Sequence, residues 1–181
     1  MKTLPELDFG SSIAFFLPGV VALYAVGDIS PWVASWFVQV LDKDLTFGAS
    51  VLIVLGGLLA GIIVSGFRAF LLDWIHLKTG VKPRALNYRV LANKETLEAY
   101  KEAINNTYRF YQFYGNTVLS LTFFLFARFV AASLPIRTHK IQFGVTVLLI
   151  VVLFIQSRRS LRSTYNILEK ILAETTPMRP E

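Results

Sequence analysis

Residues 45–67 read LTFGASVLIVLGGLLAGIIVSGF, 23 positions without a charge between Asp44 and Arg68. An α-helix needs about 20 predominantly apolar residues to cross a hydrocarbon core, and few soluble folds call for so long an uncharged run. The stretch therefore reads as a helix whose solvent is lipid. Its composition carries a second message. Gly57, Gly61 and Ser65 recur every four positions, with Gly56, Ala60 and Gly66 beside them. Small residues at this spacing let two helices approach closely in lipid, where packing replaces the hydrophobic drive. The partner of that face is either another helix of the same chain or a second copy of it.

The rest of the chain agrees with a membrane environment. Of its 181 residues 54% are hydrophobic and only 17% charged, against about 25% charged in a soluble domain. Three further windows lack any charge: Phe9 to Gly27, Phe110 to Ala127 and Ile141 to Ser157. Together with 45–67 they predict an all-α polytopic protein with four transmembrane helices. Pro18–Gly19 predicts a kink in the first, because proline removes a backbone bond. A shorter apolar run at 31–41, with Pro31, Trp32 and Trp36, does not reach across a bilayer. It reads as a helix lying at the interface or packed on the bundle, with Pro31 in its first turn.

Lysine and arginine set the orientation. The segment between the second and third windows holds Lys78, Lys82, Arg84, Arg89, Lys94, Lys101 and Arg109, and the tail holds Arg158, Arg159, Arg162, Lys170 and Arg179. The segment between the first two windows holds Lys43 beside Asp28, Asp42 and Asp44. Both termini are then expected in the cytoplasm, in a bacterial inner membrane. Lys78, Lys82, Arg84, Arg89, Arg158, Arg159 and Arg162 are candidates to contact anionic head groups or a cytosolic protein partner. Topology already accounts for these charges, which leaves nucleic acid with little support as a partner.

The organisation expected is residues 1–75 for the first two spans and the short helix, 76–92 for a basic connection, 93–176 for a long helical hairpin and 177–181 for a tail. Asn93 has the position of a helix N-cap, with Glu95 in the first turn. Leu97, Tyr100, Ile104, Tyr108 and Tyr111 then recur on one helical face, running without proline or glycine into the third span. After Ser157, Leu161, Tyr165, Leu168 and Leu172 mark a matching face that Pro177 ends. A turn around Leu134 and Pro135 makes the two helices antiparallel, with stalks of roughly 15–20 residues beyond the ~30 Å core.

Sites for chemistry are scarce. The chain has no cysteine, which excludes disulfides and thiolate chemistry. Its histidines, His76 and His139, are expected on opposite sides of the membrane, so no shared metal and no cofactor is expected. A serine with a histidine base inside the membrane is not expected either, since neither histidine lies there. Nucleotide-binding and hydrolase motifs are absent. Arg68 and Asp73 read as an anchor at a helix end beside Trp74, and Arg128 as a side chain snorkelling outward. The third span carries Gln112, Asn116 and Ser120 every four residues, a polar stripe that must face protein or water. It either hydrogen-bonds between helices or lines an oligomer axis.

These features predict a non-enzymatic inner-membrane subunit. It would self-associate through the second and third spans and couple the membrane to a cytosolic partner as sensor, anchor or membrane-perturbing effector. A stand-alone oligomeric channel or transporter is the alternative. In shape, a small four-span protein with cytoplasmic stalks resembles membrane subunits of bacterial antiviral systems.

Overall fold

The computed structural model describes residues 9–41, 47–82, 92–131 and 140–174. Among these, all regular structure is helical: α1 (Phe9–Ile29), α2 (Pro31–Leu41), α3 (Phe47–Lys78), α4 (Lys94–Ala103), a π turn (Ile104–Tyr108), α5 (Arg109–Val130) and α6 (Lys140–Glu174). Helix α4, the π turn and α5 are one continuous rod, Lys94–Val130. Three helices are long and apolar enough to cross a membrane: Phe47–Lys78, Lys94–Val130 and Ile141–Leu172. Helix α1 is apolar and shorter, with Ile13–Ile29 as its apolar stretch. Arg84, Arg89, the 134–135 turn, His139 and Pro177 lie outside the described residues.

The helices form a bundle in which α1 is sandwiched between α3 and α5, and α6 packs on the other side of α5. Helix α3 extends well past the charge-free run that announces it. Arg68 marks no helix end, because the face that carries Gly57 and Gly61 continues as Arg68, Leu72 and His76, all buried. Steps of four and seven residues keep these positions on one side of the helix. The opposite side presents Leu59, Ile62, Phe67 and Phe70 outward.

Helix α3 stops in a Schellman cap. Gly80 has φ +92°, a left-handed conformation that costs glycine little. The Val81 N–H donates to the His76 carbonyl at 2.9 Å, and the Gly80 N–H to Leu77 at 3.3 Å. Val81 folds back into a small core with Tyr111 and Leu161, flanked by Tyr108 and Tyr165. At the start of α4, Asn93 is the N-cap its position suggests, its side chain accepting from the Glu95 N–H at 3.0 Å.

Helix α2 packs against both α1 and α3. Val33 is buried, Ala34 lies against Gly27, and Phe37 meets Tyr24 edge-on at 5.3 Å. Trp32 and Val38 point outward. Helix α6 is the most peripheral. From Ile141 to Leu149 only Thr146 is buried, whereas Leu161, Leu168 and Leu172 bury their side chains further along. Helix α4 and the second half of α6 lie together at one end of the molecule, the stalk end.

Candidate functional site

The small-residue face of α3 has its partner inside the protomer. A Cβ on Gly19 would stand 1.9 Å from the Gly57 carbonyl oxygen, and one on Gly61 would stand 2.2 Å from that of Phe15. The backbones of α1 and α3 therefore touch across paired glycines, the close approach that small residues permit in lipid. Gly57 and Gly61 are filled by α1, and Ser65 is half-buried on the same side. Of the two readings of this face, packing within the chain is the one the structure shows for Gly57 and Gly61, which α1 covers.

The polar stripe of α5 also turns inward. Asn116 is fully buried, and its Nδ2 donates to the Ala14 carbonyl at 3.0 Å. Ala14 precedes Pro18 by four residues, so this carbonyl is the one that Pro18, lacking an N–H, leaves without its helical donor. Asn116 replaces the missing bond from a neighbouring helix, and α1 runs on through Pro18 as one helix. Ser120 is fully buried one turn further along, while Gln112 is half-buried. Thr117 and Thr122 bond their own helix, donating to Phe113 at 2.7 Å and Val118 at 2.8 Å.

The densest polar group in the described residues lies where α3, α5 and α6 meet near the stalk end. Arg68, only 3% exposed, donates to Asp73 Oδ1 at 3.2 Å and lies 4.7 Å over the Tyr111 ring. The Tyr111 hydroxyl donates to the same carboxylate oxygen. His76 is fully buried, stacked on Phe154 at 5.3 Å, with its Nε2 3.4 Å from Ser157 Oγ. Gly115 makes the room: a Cβ there would meet Arg68 Cδ at 2.8 Å. Two further side chains of α6 bond close beside it. Arg158 on α6 donates to both the hydroxyl and the carbonyl of Thr79, the latter at 2.6 Å, and so caps the end of α3. Ser160 Oγ donates to the Thr107 carbonyl in the π turn at 2.8 Å.

Sequence reasoning gave Arg68 and Asp73 only an anchoring role and excluded a serine–histidine pair. The structure brings Ser157 and His76 together across 81 positions, so that expectation is corrected. The geometry is nonetheless not that of a catalytic triad, in which an acid orients the second ring nitrogen. Asp73 serves Arg68 and Tyr111, and among the described residues His76 Nδ1 has no hydrogen-bond partner. Both Ser157 and His76 are fully buried. What the cluster does well is join three helices by directional bonds in a low-dielectric setting, where breaking one leaves a buried charge or donor unpaired.

Other sequence candidates fall into two groups. Arg158 is engaged within the chain, whereas Arg159, Arg162, Lys78 and Lys82 are exposed at the stalk end. At the opposite end, Arg128 does not simply snorkel: it pairs with Asp28 at 2.7 Å and lies 5.1 Å from the Phe124 ring. Among the described residues, no group of three or more His, Asp or Glu side chains is arranged to hold a metal ion. In comparisons with protein families, curated proteins and solved structures, the chain matches none of them.

Proposed function

We propose that the protein is a non-enzymatic, multi-pass subunit of the bacterial inner membrane that self-associates and couples the membrane to a cytosolic protein partner. In this reading α1 is the fourth span, α2 lies at the outer interface, both termini are cytoplasmic and the stalks enter the cytoplasm. The observation that carries it is the continuity of two rods from apolar to charged surroundings. The rod Lys94–Val130 and α6 each run unbroken from bundle to stalk, and the Arg68–Asp73–Tyr111 cluster pins α3 to the first of them. A displacement of the stalk is then passed to the bundle by packed helices rather than by a flexible linker.

Self-association in this reading uses the outward apolar faces of α3 and α6, since α1 occupies the glycine face. A stand-alone channel has less to support it, because Asn116 and Ser120 turn into the protomer instead of toward a shared axis. A place in antiviral defence rests on the shape resemblance alone.

Photo-crosslinking in cells tests the proposal. Reactive residues at Arg159, Arg162 and Lys170 on the stalk are expected to yield a discrete adduct with a soluble protein. Residues at Leu148 and Val152 on α6 are expected to yield a dimer of the chain. Adducts with lipid alone at all five positions would sink the proposal.

A further inference from the structure

A groove enclosing about 500 Å³ opens at the stalk end of the bundle, between the beginning of α1 and the π turn. This is within the size range of small-molecule sites. Its walls divide by chemistry. Asn105, Asn106 and Arg109 form the wall nearer the stalk, and Ile13, Phe110 and Phe113 the wall nearer the apolar half. The two amides are consecutive residues of the π turn, an irregularity frequent at functional sites. Arg109 Nη2 donates to Asn105 Oδ1 at 2.9 Å, which holds the guanidinium on the polar wall. Arg109 is the charged residue among the described lining residues.

The height of the groove is as informative as its lining. Arg109 ends the charged stretch of the rod, and Phe110 opens the charge-free window 110–127. Phe110 is 55% exposed. The groove thus spans the level where head groups give way to hydrocarbon, with donors on one side of that level and phenyl rings on the other. A guanidinium with a neighbouring amide matches a phosphate, and the rings match an acyl chain.

We propose that this groove holds an anionic glycerophospholipid, its phosphate against Arg109 and Asn106 and an acyl chain along Phe110 and Phe113. The site is separate from the exposed basic residues of the stalk. It places one bound lipid between α1 and the rod, at the turn where the helical pitch changes.

The full chain is reconstituted in phosphatidylcholine nanodiscs containing a minor share of phosphatidylglycerol, then exchanged into detergent, and the retained lipid is read by mass spectrometry. Phosphatidylglycerol is expected to be enriched over phosphatidylcholine. Asn106→Asp, an isostere that sets a like charge against the phosphate, is expected to reduce its retention about tenfold. Phe110→Ala, on the opposite wall, is expected to reduce it as well. Lys101→Gln, an exposed basic residue outside the groove, is expected to leave it unchanged. Retention at the original level in both groove variants, or an equal loss with Lys101→Gln, would overturn the proposal. Displacement of the lipid by inorganic phosphate would assign the site to a free anion and overturn it too.

Discussion

A proline within a helix leaves the carbonyl four residues earlier without a donor, and no water replaces it inside a bilayer. In this chain the carbonyl belongs to Ala14 and the substitute donor is Asn116, one helix away. The need for the amide thus depends on the proline, which makes the pair testable as a cycle. Asn116→Leu is expected to cost about 1–3 kcal/mol, the penalty of a buried acceptor left unpaired. With Pro18→Ala the backbone N–H returns, and the same change is expected to cost markedly less. Thermal unfolding of the four variants in detergent gives the coupling. Equal costs in both backgrounds would show that Asn116 does not serve Ala14. The stripe of Gln112, Asn116 and Ser120 was legible from spacing alone. Its recipient was not, because a bond across 102 positions has no local signature. The same holds for Asp28 with Arg128, where each residue by itself reads as a helix-end charge.

Helix α3 shows what pattern reading captures at the scale of an element and where it stops. The charge-free run located the helix and the glycine spacing located its packing face. Arg68 hid the continuation of that face, since a charge ordinarily marks the edge of the hydrocarbon. Arg68 stays inside because Asp73 and the Tyr111 ring receive it and Gly115 leaves space for its stem. Small residues serve where α1 lies against α3, and Arg68, Leu72 and His76 fill the wider gap further along. Gly61→Ala is therefore expected to lower stability by about 1–3 kcal/mol through overpacking against the Phe15 backbone. Gly66→Ala, with nothing within 4 Å of the added methyl, is expected to be neutral to within about 0.5 kcal/mol. Thermal midpoints of the two variants at one detergent concentration decide the point. A Gly61→Ala protein as stable as Gly66→Ala would mean that α1 does not pack there.

Across the whole molecule, order is concentrated at the junction of α3, α5 and α6 and thins toward the stalk. In α4 only Thr96 and Ala103 are buried, whereas the junction buries Arg68, His76, Tyr111 and Ser157 together. Local opening follows the density of such contacts. Hydrogen exchange in micelles is expected to be faster for the amides of residues 97–103 than for those of residues 157–161. Equal protection would show the stalk to be as firmly held as the junction. The packing of α6 on the rod was readable from the periodicity of Tyr111, Leu161, Leu168 and Leu172. The π turn was not, because INNTY contains no residue that requires it. The cap on α3 bears on how the chain is made. Thr79 waits for Arg158, which a ribosome adds 79 residues later. Helix α3 therefore leaves the translation machinery with its glycine cap able to form at once, while the Thr79 hydroxyl and carbonyl receive Arg158 only after α6 has been made. The end of α3 is thereby closed twice, first by its own glycine turn and then by a helix made later.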